Sequence, residues 1–365
     1  MQSFYDYSDK LNKLYSILQD GWSKRVFWAQ IQYDACPDMD HALQLAALAT
    51  PDQDGKKLPW RQWFTEARAS GGSIVLYGAG NIGQQFAELI LRSNEDFDAF
   101  CDRNKAGSTF LGKPVLSPET ILCNPEHYYV AIAVGELYFG EILGILKEHC
   151  FHSSHIFYHN VPEVANTIYQ AFSRYVHPDT AIVDAGCFDG ADSIFFARLF
   201  PNYSEIYAFE PDRGNYELCL KNIANAGIIR AKVIPCGLSA TSGEASFLMG
   251  GQGSSYLLSI DSVAAEIARP AGKTVTVQTN ALDDVFEGKL GFMKMDIEGA
   301  EFDALHGAER TIRRDRPLLA ISVYHRRGDL LAIMDYLNSI VPEYSFWLRH
   351  SGGFNNDTML FAAVR

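Results

Sequence analysis

Long apolar runs are absent from this sequence. No stretch reaches the roughly 20 residues that cross a bilayer, and the amino-terminal MQSFYDYSDKLNKLY has no apolar core of the kind a secretory leader carries. Basic clusters are missing as well. The chain holds 31 Lys and Arg against 44 Asp and Glu, a net charge of -13, with no cationic run to neutralise phosphates, so nucleic acid is excluded as the main partner. Cysteine is sparse and unpatterned. Cys36, Cys101, Cys123, Cys150, Cys187, Cys219 and Cys236 are odd in number and never in CxxC spacing, which speaks for reduced thiols rather than a disulfide framework. The expectation is a soluble, cytoplasmic protein that works neither in a membrane nor on nucleic acid.

What is present is an ordinary globular composition, 47% hydrophobic and 21% charged over 365 residues, enough for two or three domains with sizeable cores. Residues 1–70 carry apolar side chains at helical spacing through Leu11, Leu14, Tyr15 and Leu18, and again through Ala42, Leu43, Leu45, Ala46 and Leu48, with a break at Cys36-Pro37-Asp38. They are expected to form a helical segment whose aromatics, Trp22, Phe27, Trp28, Trp60, Trp63 and Phe64, pack its core. From 71 to 160 the pattern changes to a small Rossmann-like α/β domain. A strand at 73–77 runs into Gly78-Ala-Gly80-Asn-Ile-Gly83, a complete GxGxxG, followed by a helix at 84–92 and a strand at 97–101 that ends at Asp102. Strands at 128–134 and 156–158 bring the count to about four, short of the roughly six of a full dinucleotide site, so NAD is not the natural ligand. A nucleotide or nucleotide-sugar on Gly78, Gly80, Gly83 and Asp102 stays open beside glycines that serve packing alone. The stretches YGAGNIG and CDRNKAGSTFLGKPVLSPE resemble the small Rossmann-like domain ahead of sugar acyltransferases, which implies a nucleotide-sugar. His149, Cys150, His152, His155 and His159 crowd together but match no zinc spacing, and no metal is expected there. Residues 161–180 read as a linker helix.

The region 181–365 opens with AIVDAGCFDGADSIFFARLFPNYSEIYAFEPD. It reads as a buried strand, the turn Asp184-Ala-Gly186-Cys187-Phe188-Asp189-Gly190, a helix at about 191–199, and a strand at 206–209 that ends in Glu210. A glycine turn at a strand's carboxyl end lets a ligand approach the backbone and a helix amino terminus, and a carboxylate about 20 residues on can take both hydroxyls of a ribose. This turn is not a GxGxxG, and its two carboxylates would repel a phosphate. A ligand with a ribose, no phosphate and a cationic end fits, and S-adenosylmethionine has all three properties. Further on, a strand at 291–295 delivers Asp296-Ile-Glu298-Gly-Ala-Glu301, a strand at 318–323 ends at Tyr324-His325, and strands at 344–348 and 358–363 suit an antiparallel pair, while 241–279 reads as irregular. Repeated strand-helix units with an antiparallel end predict a doubly wound sheet with ligands at the carboxyl ends of its strands.

Four separated motifs, DAGCFDGADSIFFA, YAFEPD, KMDIEGAEFDALHGA and PLLAISVYH, resemble in this order the FkbM-type S-adenosylmethionine-dependent methyltransferases. The resemblance implies a class I methyltransferase fold, an α/β doubly wound seven-stranded sheet with its last strand antiparallel. It also implies O-methylation of a hydroxyl on a sugar, glycan or other small-molecule acceptor, with S-adenosylhomocysteine as product. Carried over by position, Asp184, Gly186, Cys187, Phe188, Asp189 and Gly190 line the methionine part, with Asp184 or Asp189 set against the ammonium. Glu210 takes the ribose, beside Pro211 and supported by Asn215. Ser193 touches the cofactor from its helix, and Cys236, Gly237 and Leu238 flank the adenine.

Methyl transfer needs an oxygen nucleophile held opposite the sulfur, and a hydroxyl needs a base. Of Asp296, Glu298 and His325, histidine has the pKa matched to neutral pH, so His325 is the expected base. Asp296 and Glu298 are expected to orient substrate or cofactor. Asp296, Glu298 and Glu301 could hold Mg2+, but a carboxylate that begins a helix is favoured by the dipole alone, and the metal is not favoured. Two competing expectations are an NAD-dependent oxidoreductase or nucleotide-sugar-binding protein that uses the 78–83 loop, and a non-catalytic S-adenosylmethionine-binding scaffold.

Overall fold

The computed structural model describes residues 2–49, 60–134, 136–158, 165–249, 256–257, 273–351 and 357–365. Contacts gather them into two units: the described residues of 1–34, 48–51 and 162–365, and those of 35–47 and 52–161. The helical segment expected at 1–70 is therefore not one body. Helix Gln2–Ser16 and most of helix Gly21–Ala35 fold with the carboxy-terminal unit, and helices Met39–Ala46 and Trp60–Ala69 with the other. The aromatics divide in the same way. Phe27 and Trp28 meet Tyr15, whereas Trp63 packs on Tyr129 and Phe157.

In the unit built mainly from 52–161, strands β1 (Ser73–Tyr77), β2 (Ala99–Cys101), β3 (Thr109–Phe110), β4 (Lys113–Leu116), β5 (Tyr128–Ile132) and β6 (Ile156–Phe157) form a sheet in the order β3-β4-β2-β1-β5-β6. All neighbours are parallel except β3 and β4. Val75, Tyr77, Val130 and Ile132 lie in its core with Ile142 and Leu146 of helix Glu136–Glu148, as the continuous apolar runs of a parallel sheet require. The β3–β4 hairpin was not expected. Its two-residue turn, Leu111 and Gly112, has φ of 48° and 76°, the left-handed pair that such a loop demands.

The larger unit holds β7 (Ala181–Ala185), β8 (Ile206–Phe209), β9 (Ala231–Ile234), β10 (Gly237–Leu238), β11 (Gly243–Met249), β12 (Tyr256–Leu257), β13 (Lys273–Asn280), β14 (Leu290–Met295), β15 (Leu318–Ser322), β16 (Tyr344–His350) and β17 (Thr358–Val364). Its main sheet runs β9-β8-β7-β14-β15-β17-β16. β17 is antiparallel to both its neighbours, and the other pairs are parallel. This is the seven-stranded arrangement with a reversed last strand that the resemblance implied. The sheet grows from β7 to one side through β8 and β9, then to the other through β14 and β15, so its switch point lies between β7 and β14.

Residues 241–279, expected to be irregular, supply most of a second sheet, β10-β13-β11-β12. Its long antiparallel pair runs from Gly243 opposite Thr279 to Met249 opposite Lys273. The helix Ala165–Phe172 is core rather than linker. Phe172 stacks on Phe361 with centroids 4.3 Å apart, and Tyr169 donates to Met359 Sδ at 3.2 Å. Burying Phe172 alone is worth about 1.5–3 kcal/mol. No helix among the described residues is long and apolar enough to cross a membrane.

Candidate active site

β7 leaves its sheet at Gly186, with φ of 76°. A Cβ there would lie 2.0 Å from the carbonyl oxygen of Asp296, and the Asp296 amide donates to Ala185 O at 3.1 Å. Only glycine lets the β7 turn meet the end of β14 so closely. The turn closes at Gly190, φ 84°, where a Cβ would stand 2.9 Å from Cys219 Sγ, and helix Ala191–Leu199 begins. Between them Phe188, at φ 47°, turns its ring outward, while Cys187 is buried. Asp189 is half-buried and accepts the Ala191 amide at 3.0 Å.

Glu210, at the end of β8, is 5% exposed. Its Oε2 accepts the Phe188 amide at 3.0 Å and its Oε1 the Asp212 amide at 2.8 Å, with Asn215 bonded to it as well. Burial lifts its carboxyl to about 7 against these bonds. A carboxylate has about four acceptor sites, and among the described residues no ion pair engages Glu210. It keeps lone pairs for a ligand's hydroxyls. Pro211 follows it, half-buried.

Two expected cofactor contacts are corrected. Asp184 and Ser193 are fully buried and bonded to each other, Ser193 Oγ to Asp184 Oδ2 at 2.5 Å. Asp184 Oδ1 lies 3.5 Å from Lys294 Nζ, which also sits 3.3 Å from Asp192 and donates to Gly186 O at 3.1 Å. The charge of Asp184 is thus answered from inside, and the pair braces the glycine turn from beneath. Burial opposes the charge on Lys294, but Asp184, Asp192 and Asp296 hold its ammonium well above the usual range. Sequence reasoning missed Lys294, although the lone charge of LGFMKM, a strand buried on both faces, had to have partners. Cys236, Gly237 and Leu238 are also buried. The last two form β10 against β13, and Cys236 Sγ accepts from Asn280 Nδ2 at 3.1 Å.

At the ends of β14 and β15 an acidic cluster surrounds His325, whose side chain is 7% exposed. Its Nδ1 lies 2.9 Å from Glu301 Oε1, and its Nε2 is 3.4 Å from Asp296 Oδ1 and 3.6 Å from Glu298 Oε2. Glu301, fully buried, also accepts the Ile297 amide at 2.8 Å. Tyr324 donates to Asp296 Oδ1 at 3.4 Å. Glu298 stands at φ 57°, a strained conformation for a residue with a side chain, of the kind that clusters at functional sites. Burial lowers the affinity of His325 for its proton, but Glu301, Glu298 and Asp296 outweigh it and push its pKa up to about 10. That direction is away from the near-neutral value for which His325 was chosen as base. Burial raises Glu298 to about 7, with His325 pulling the other way.

The sequence profile of the Methyltransferase FkbM domain matches residues 184–347, from the buried Asp184 through the acidic cluster to β16. This matched stretch, a little under half of the chain, is similar to the FkbM methyltransferases. Its relatives include the 2-O-methyltransferase NoeI of Sinorhizobium fredii (strain NBRC 101917 / NGR234), 25% identical over 211 residues that cover 52% of this chain and 83% of NoeI. The methyltransferase sdnD of Sordaria araneosa is 30% identical over 156 residues, 35% of this chain and 60% of sdnD. A solved FkbM methyltransferase of Methylobacillus flagellatus KT aligns over 94% of this chain and 99% of its own at 18% identity, with a TM-score of 0.49.

Ahead of the FkbM domain, the glycine loop of the smaller unit is held by its own neighbours. A Cβ on Gly78, φ 122°, would lie 2.3 Å from Ala133 O, and one on Gly83 would lie 2.0 Å from Gly78 O. Both serve packing. Gly80 faces open space. Asp102, expected at a ribose, accepts the amides of Ala79 at 3.1 Å, Asn104 at 2.8 Å and Lys105 at 3.2 Å. The histidines each have a separate partner: His149 bonds Ile145 O, His152 bonds Ser154, and His155 stacks on Tyr129. His159 lies outside the described residues, as do residues 250–255 and 352–356.

Proposed function

We propose that the chain transfers a methyl group from S-adenosylmethionine to a hydroxyl of a sugar, glycan or other small-molecule acceptor. The observation that carries this reading is the contact of Gly186 with the Asp296 carbonyl at the β7–β14 switch point, the crevice where open α/β sheets bind ligands. It sets the glycine turn and Glu210 on one side and the acidic cluster on the other. S-adenosylmethionine supplies an electrophilic methyl on a sulfonium. Glu210 is suited to its two ribose hydroxyls, because its oxygens are buried, each anchored by one amide, and answered by no cation among the described residues. Asp189, half-exposed at the turn, suits the ammonium. Asp296 and Glu298, both close to His325, suit the acceptor hydroxyl. An oxygen acceptor also agrees with the name of NoeI, a 2-O-methyltransferase.

The test is incubation of purified protein with labelled S-adenosylmethionine and a panel of free sugars, nucleotide-sugars and oligosaccharides. The expected result is S-adenosylhomocysteine formed in step with a methyl ether on one acceptor class. Label found only on nitrogen or carbon would refute the hydroxyl assignment.

A further inference from the structure

The acidic cluster holds a donor that hydrogen bonding leaves unused. His325 Nε2 is buried and makes no hydrogen bond, and neither does the buried Glu301 Oε2. With Nδ1–H donated to Glu301 Oε1, a neutral His325 presents its Nε2 lone pair toward Asp296 Oδ1 and Glu298 Oε2, at 3.4 and 3.6 Å. Donor atoms that share a cation through bonds of about 2.0–2.2 Å stand about 3.0–3.5 Å apart, close to these separations. One donor atom each from Asp296, Glu301 and His325 falls within 4.8 Å of the others. A carboxylate that fixes the far nitrogen of an imidazole is the usual companion of a metal-ligating histidine, because it sets the tautomer and the ring's orientation. Charge points the same way. Of the three carboxylates that face the imidazole, Asp296 is also near the Lys294 ammonium, whereas Glu298 and Glu301 pair with no cation but His325 among the described residues.

We propose that His325 Nε2 and Asp296 Oδ1 hold a divalent first-row transition cation, with Glu298 beside them and Glu301 as the positioning residue behind the ring. The imidazole in the set favours Mn2+, Co2+ or Zn2+ over Mg2+. Metal ligands bind deprotonated, so uptake exchanges the imidazole's proton for the cation. The role of the ion rests on the methyltransferase reading: a cation beside the acceptor makes its hydroxyl more acidic, and the proton can then leave to solvent without a neutral histidine. The binding site itself does not rest on that reading.

The probe is Co2+ titrated into chelator-treated full-length protein, followed by visible absorption and calorimetry, with S-adenosylhomocysteine binding measured on the same samples. One equivalent of Co2+ is expected to bind. His325→Gln should abolish it, Glu301→Gln should weaken it about 10–100-fold, and His41→Gln should leave it intact. The His41 variant serves as control because Cys36, Asp38 and His41 form another metal-type grouping among the described residues. If His325→Gln fails to fold, Asp296→Asn, whose native side chain is 32% exposed, takes its place. Absence of Co2+ binding, or binding that survives His325→Gln and disappears with His41→Gln, overturns the proposal. S-adenosylhomocysteine bound without Co2+ sinks the cation site alone; Co2+ bound at His325 without S-adenosylhomocysteine sinks the methyltransferase reading alone.

Discussion

Glu210 works under two opposed demands, burial and charge, and its pH behaviour separates them. Its carboxyl rises from an ordinary 4.5 to about 7 in the folded chain. The folded state therefore binds the proton more tightly than the unfolded one. The stability this contributes is complete below about pH 4.5 and is lost as pH rises through about 7. Ligand binding runs the other way, because the ionised carboxylate is the form that accepts two hydroxyls. Affinity for S-adenosylhomocysteine should fall as pH drops below about 7, and Glu210→Gln should flatten both the affinity and the melting-temperature profiles between pH 5 and 8. A wild-type affinity that is level across this range would remove Glu210 from the ribose.

Lys294 is the second residue whose role is set by burial. Removing it by Lys294→Met leaves Asp184 charged and unpaired at 0% exposure, which should cost about 3–5 kcal/mol in urea unfolding. The double variant with Asp184→Leu should recover most of that loss. If the single variant is as stable as the wild type, the brace under the glycine turn is not what holds it.

At the scale of elements, the two glycine turns differ in what their glycines are for. Gly186→Ala pushes a Cβ onto the Asp296 carbonyl in a left-handed backbone and should cost more than about 2 kcal/mol and eliminate cofactor binding. Gly80→Ala meets open space at φ -106° and should change stability by less than about 1 kcal/mol. Thermal melts of both variants check the contrast.

The strands that carry the site were legible in the sequence because β7, β8, β14 and β15 are buried on both faces and read as apolar runs cut off by Gly, Asp, Glu or Tyr-His. β13 was missed although KTVTVQTN carries the Val-Thr alternation of a half-buried strand, because its apolar residues are only Val275 and Val277. The β3–β4 hairpin was hidden because Leu111, rather than Asn or Asp, occupies a left-handed turn position. Which carboxylate meets a lysine was not legible either. Asp184 and Asp189 sit in one turn and are told apart only by Lys294, more than a hundred residues on. The proton on His325 likewise depends on carboxylates from another loop.

For the whole molecule, the FkbM profile understates the folding unit. Leu14, Val26 and Phe27 are fully buried, Ser23 Oγ accepts the Leu348 amide, and Asp20 pairs with Arg349 at 2.7 Å, all within the unit that carries the site. At about 1.5–3 kcal/mol for each of these three buried side chains, removing residues 2–34 should cost about 4.5–9 kcal/mol, comparable to a domain's net stability of about 5–15 kcal/mol. A fragment of residues 165–365 is expected to lack a cooperative melt by circular dichroism, and a sharp transition would contradict this assignment.

The central claim, a cofactor site between the β7 turn and Glu210, is tested most directly by calorimetric titration of S-adenosylhomocysteine into wild-type protein and Glu210→Ala. The account predicts one site of micromolar affinity, about -8 kcal/mol, weakened about 10–100-fold in the variant through the loss of hydrogen bonds to a charged group. No heat of binding in the wild type, or equal affinity in both proteins, would contradict it.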